Sequence, residues 1–118
     1  MNSQEKLKRV RQLNKRIYAC KLLKRNLTAL KDSVVAEVKY WNFYSLYESE
    51  VQNDDVYKAI DADTKIRKLK EGLCKIKAKI SSYNFKIMED KTERNRIVIN
   101  NAFTLLRLVL KDLAEGGR

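Results

Sequence analysis

Residues 59–87 read AIDADTKIRKLKEGLCKIKAKISSYNFKI, and within them Ala59, Ala62, Ile66, Leu69, Leu73, Ile76, Ile80, Tyr83 and Ile87 recur at alternating steps of three and four. Such spacing is an a/d heptad, which lays one apolar stripe along a helix and calls for a second helix of the same period to cover it. The flanks of the stripe carry Lys65, Lys79 and Lys86 on one side and Lys70 and Lys77 on the other. A parallel homodimer along this seam would set lysine against lysine, so the flanks favour an antiparallel partner from the same chain or an acidic partner from another. Gly72 lies inside the stretch and costs about 1 kcal/mol relative to alanine, either for a close helix approach or simply as a tolerated residue.

The cover comes from the N-terminal side. Val10, Leu13, Ile17, Cys20, Leu23, Leu27, Leu30, Val34, Val38 and Trp41 form a second stripe, with Ser3 as its expected N-cap. Its spacing slips between Cys20 and Leu23, which reads as a stammer that widens the apolar face. Asp32 and Ser33 offer a second cap, where this helix would break in two. Asn53, Asp54 and Asp55 mark the turn and the cap of the next helix. A turn there sets Cys20 opposite residue 86, so Cys20 and Cys74 lie about 18 Å apart along the axis. That exceeds disulfide reach, and both cysteines read as buried, reduced thiols.

On the C-terminal side, Asp90 and Glu93 resemble a capping box opening a third helix, and Gly116 and Gly117 close it. Its apolar residues, Val98, Ile99, Ala102, Phe103, Leu105, Leu106, Leu108, Val109, Leu110 and Leu113, make a face wider than a two-stranded seam. Such a face implies contact with two helices at once or with another subunit, so a protein partner or self-association into an oligomer is expected. The fold expected is therefore all-α: an elongated antiparallel helical hairpin, a coiled coil, with a third helix packed back as a three-helix bundle. A break at Asp32 would make it four. Helix one should span about 3–50, helix two about 54–88 and helix three about 91–115, in one domain of 118 residues. The absence of proline and the 35% of charged residues agree with long helices.

Charge is unevenly distributed. The chain carries +11 overall, with +8 in residues 1–40, −5 in residues 41–64, +6 in residues 65–89 and +2 in the remainder. Two basic stems brought side by side form a surface suited to backbone phosphate or an acidic protein. The residues expected to carry it are Lys8, Arg9, Arg11, Lys15, Arg16, Lys21, Lys24, Arg25, Lys68, Lys75 and Lys79. A solvated lysine-rich face is the competing reading. No base-reading module is present, so contact should be with the backbone of DNA or RNA.

Tyr40, Trp41, Phe43, Tyr44 and Tyr47 crowd eight positions. They either pack the elbow between helices or anchor a protein partner, and Tyr40, Trp41, Tyr44 and Tyr47, with Leu106 and Leu110, are the expected partner-binding residues. The acidic residues around them argue against a nucleic-acid stacking platform. Histidine is absent and no glycine-rich phosphate loop occurs, while two cysteines cannot build a zinc site and Asp61 with Asp63 do not complete a calcium loop. The expectation is a non-enzymatic protein without cofactor or metal. No run of about 18 apolar residues exists to span a bilayer, and the N-terminus lacks the apolar core of a secretory signal. An intracellular place, cytoplasmic or nucleoid or nuclear, follows as the expectation. The function expected is binding of nucleic-acid backbone or an acidic or nucleoprotein surface as a regulatory or assembly factor. The alternative is a coiled-coil adaptor or structural subunit without nucleic-acid contact; a peripheral binder of anionic lipid is a weaker third.

Overall fold

A computed structural model describes the backbone of residues 1–51 and 56–116 and the side chains of residues 1–44 and 60–116. Among the described residues the architecture is all-helical, in two helices: α1 (Ser3–Val51) and α2 (Val56–Gly116). The expected turn and cap at Asn53, Asp54 and Asp55 lie outside the described residues. The chain divides into two compact units, unit 1 comprising Met1–Leu23 with Tyr83–Arg118 and unit 2 comprising Lys24–Ser82.

Two, not three or four, helices form because the expected boundaries are not stops. α1 passes through Asp32 and Ser33 without interruption, and α2 passes through Asp90. Around Asp90 the sequence MEDKTERNR contains neither proline nor glycine, and Thr92 donates its hydroxyl to the Met88 carbonyl at 2.8 Å, a bond made inside helices. Asp90 is not a cap; it is buried mid-helix. At the N-terminus the cap is Asn2, not Ser3: its Oδ1 accepts the Glu5 N–H at 2.8 Å, a side-chain N-cap, while its Nδ2 donates to Glu5 Oε1 at 3.3 Å.

Within unit 1 the two helices run antiparallel, in the register that sets Cys20 opposite residue 86. Arg16 reaches Asp90 at 3.2 Å, Arg94 donates to Asn14 at 3.2 Å, and Lys6 donates to Asn101 at 3.0 Å. The α2 seam does not stop at Ile87; it continues at heptad spacing through Asp90, Arg94, Ile97 and Asn101, all at least partly buried. Each of the polar three meets a polar residue of α1.

Asn101 is where α1 runs out, and its backbone leaves the helical region (φ −134°, ψ 22°). Its side-chain amide donates to the Ile97 carbonyl at 2.9 Å, occupying an acceptor that a continuing helix would use. If α2 continued straight, Asp112 would lie about 25 Å along the axis from the level of Arg11, yet the two side chains meet at 2.7 Å. The last helical stretch of α2 therefore turns back at Asn101 and lies along the first turns of α1. This buries Leu105 against Leu7 and Val10, with Ile97, Leu108 and Val109 packed on them. The fold-back that the broad apolar face called for begins about ten residues later than the capping-box signal placed it.

In unit 2 the seam residues of α2, Ala62, Ile66, Leu69, Leu73, Ile76 and Ile80, are all buried or half-buried. Across from them α1 presents Lys24, Leu27, Lys31, Val34, Val38 and Trp41. No stammer occurs: the half-buried position after Cys20 is Lys24, and Leu23 and Leu30 are about half exposed. Heptad phase overrides hydrophobicity here, because slipping to Leu23 would locally overwind α1, whereas the stems of Lys24 and Lys31 can cover the seam and keep their amines in water. Gly72 has open space where a Cβ would stand, so no close approach requires it. Both cysteines are free; Cys20 is half-buried, and Cys74, expected inside, is exposed beside the seam residue Leu73.

Candidate functional site

The expected basic residues fall into two sets, one in each unit. Unit 1 holds Lys8, Arg9, Arg11, Lys15, Arg16 and Lys21, and the arginines behave differently from the lysines. Arg9 forms a two-pronged bond to Glu93, Nε to Oε2 at 2.8 Å and Nη2 to Oε1 at 3.0 Å. Arg11 holds Asp112 and Arg16 holds Asp90. Planar guanidinium groups suit such bonds to carboxylates, so these three cations are committed to joining helices. Lys8, Lys15 and Lys21 are exposed and have no ion pair among the described residues. The hydrogen bond from Arg9 holds the Glu93 carboxyl below its ordinary value, and the bond to Glu93 raises the Arg9 guanidinium.

Asp90 is the one buried charged residue among those described. Its Oδ2 lies 3.2 Å from Arg16 Nε but makes no hydrogen bond, so the attraction is mainly Coulombic. An open groove of about 560 Å³ runs beside it, where Arg9, Arg16 and Arg96 alternate with Glu89, Asp90 and Glu93. Equal numbers of the two signs leave it without preference for phosphate.

Unit 2 holds Lys24, Arg25, Lys68, Lys75 and Lys79. Lys24 is half-buried on the seam, while Arg25, Lys68 and Lys75 are exposed with no ion pair among the described residues. Lys79 is exposed but has an interaction of its own. Lys68 and Lys75, seven residues apart, share one helix face about 10 Å apart. Exposed Lys70 and Lys77, expected as seam flanks, repeat the spacing.

The aromatic residues also separate. Trp41 is half-buried, edge-on to Tyr40 (5.2 Å, 77°) and to Tyr44 (5.4 Å, 82°), while Tyr40 and Tyr44 stack at 6.4 Å. Lys65 Nζ sits 4.2 Å from the Trp41 ring centre and 3.3 Å from Asp61, a cation held between a π face and a carboxylate. This contact from α2 to the seam residue Trp41 repeats the antiparallel register, and the sequence reading did not anticipate it. Tyr40 and Phe43 are exposed. The Tyr47 side chain lies outside the described residues. Leu106 and Leu110 are exposed on the last stretch of α2.

No helix among the described residues is long and apolar enough to cross a membrane, and no cluster of potential metal ligands occurs among them. No protein-family model, curated protein or solved structure matches this chain.

Proposed function

We propose that this chain is a non-enzymatic, basic helical interaction protein that binds the phosphate backbone of nucleic acid, or an acidic or nucleoprotein surface, as a regulatory or assembly factor inside the cell. One observation carries this reading. Arg9, Arg11 and Arg16 are engaged with carboxylates, whereas Lys8, Lys15, Lys21, Arg25, Lys68 and Lys75 stand exposed with no ion pair among the described residues. Lys8, Lys15, Lys21 and Arg25 follow one another along α1 with no acidic residue between them; like charges so placed repel, and a polyanion relieves that repulsion while releasing its own counterions. Lysine, a mobile point charge, suits backbone contact without base reading.

The test is light scattering of the purified protein with a short mixed-sequence duplex at low salt. The wild-type chain should form a larger complex, and the Lys8→Glu, Lys15→Glu, Lys21→Glu variant should bind at least tenfold more weakly with helicity unchanged. Equal binding by both proteins would count against the reading.

A second reading, a coiled-coil adaptor whose business is protein contact, draws on the exposed Tyr40, Phe43, Leu106 and Leu110. It predicts capture of a protein partner that depends on those side chains and persists after the lysines are neutralised.

A further inference from the structure

The last stretch of α2 is apolar on two sides. Its inner side, Leu105, Leu108 and Val109, is used against α1. On its outer side Phe103 is 79% exposed, Leu106 54%, Leu110 56% and Leu113 67%. These four are spaced three, four and three apart, which aligns them on one stripe as a-d-a-d. A helix apolar on both sides is normally covered on both. Four such side chains present roughly 400 Å² of apolar surface, the size of patches that mark interaction sites on soluble proteins.

We propose that this stripe docks a second copy of the same chain, helix against helix in parallel. Charge selects the occupant. In a chain of net +11, residues 102–116 carry Arg107 and Lys111 against Asp112 and Glu115 and are neutral. A neutral block has no pull toward anionic lipid or a polyanion and no repulsion toward its own copy. The flanks agree. Ala102, Val109 and Gly116 occupy one side of the stripe and Arg107 and Ala114 the other. In parallel alignment Arg107 faces the partner's Ala102, so no like charges meet across the stripe. Antiparallel alignment would instead bring the two Arg107 side chains together at the axis, an unfavourable like-charge approach. The lysine-flanked seam of residues 59–87 resists self-pairing for the reason this one permits it. The stripe is smaller than the roughly 800 Å² per partner of a standard stable interface, so the dimer is a weak one, with dissociation in the micromolar range.

Sedimentation velocity of the purified protein alone tests this, from roughly 1 to 300 µM at moderate salt. The expected result is a monomer–dimer equilibrium that the Leu106→Glu, Leu110→Glu variant weakens at least tenfold while circular dichroism keeps its helicity. A wild-type monomer throughout the range overturns the proposal. A cross-link tests it without disturbing the fold: Leu113→Cys with Cys20→Ser and Cys74→Ser. Parallel pairing brings the two Cys side chains within disulfide reach, about 6 Å between Cα atoms, and gives a covalent dimer under mild oxidation. Antiparallel pairing separates them by about 15 Å, so absence of the covalent dimer overturns the parallel arrangement. No nucleic acid is present in either experiment, so failure here leaves the polyanion reading to its own test.

Discussion

Unit 1 encloses Leu13 completely and Leu7, Val10, Ile17, Ile87 and Leu105 nearly so, whereas unit 2 buries only Ala62 and Ile66 to that depth among its described residues. Both are built on the same antiparallel heptad pairing. They differ in the number of helical stretches: unit 1 has α1, α2 and the returning end of α2, and unit 2 has one stretch of each helix. A two-stranded seam leaves every a and d residue open on a side, and unit 2 adds Lys24 and Lys31 to that seam. Apolar area removed from water is the main stabilising term, so unit 1 should hold the fold and unit 2 should open first.

The largest expected effect compares the two cores. Leu13→Ala should cost about 2–4 kcal/mol in urea unfolding, and Leu73→Ala, at a half-buried seam position, about 1–2 kcal/mol. Native-state hydrogen exchange should likewise show smaller opening energies for residues 62–80 than for residues 5–17. Equal losses and equal protection would erase the contrast.

Next in size is the buried carboxylate. Arg16→Met leaves Asp90 without its cation and should destabilise by about 1–3 kcal/mol, while Asp90→Leu should be neutral or stabilising, because apolar packing often replaces a buried ion pair without loss. A destabilising Asp90→Leu would mean that the ion pair contributes more than its desolvation costs.

Unit 2 has a remedy in the interior of its α2 stretch. Gly72→Ala adds a methyl into open space on a helix and should stabilise by about 0.5–1 kcal/mol; a loss of stability would show that the glycine is needed for close packing. The smallest effect is in pH. Glu93, held below its ordinary value near 4.5 by the Arg9 hydrogen bond, contributes stability above that value and loses it as pH falls through the lowered one. Glu93→Gln should flatten the acid limb of a stability–pH curve and leave neutral pH little changed. An unaltered acid limb would place the sensitivity elsewhere.

Apolar periodicity made the all-helical class and the antiparallel register legible: the seam from Ala62 to Ile87 and the pairing that sets Cys20 opposite residue 86 needed no coordinates. The seam became illegible where its positions are polar. Asp90 and Arg94 carry α2 past its expected end because Arg16 and Asn14 of α1 stand opposite them, and only the packed structure shows those partners. Asp90 followed by Glu93 therefore looked like a helix start, and Leu23 and Leu30 drew the α1 stripe away from Lys24 and Lys31. In the candidate site, charge density was visible from composition. The division between arginines that join helices and lysines left exposed depends on distances that a sequence does not contain.

If the exposed lysines meet phosphate, duplex binding must weaken with salt in proportion to the phosphates they neutralise. Fluorescence anisotropy with a labelled duplex between roughly 50 and 200 mM salt should give log Kobs falling linearly with log salt, at a slope near −5 for about six phosphates neutralised. The Lys8→Glu, Lys15→Glu, Lys21→Glu variant should lower that slope by about 3. No binding at the low-salt end, or a slope that the three reversals leave unchanged, would contradict the account.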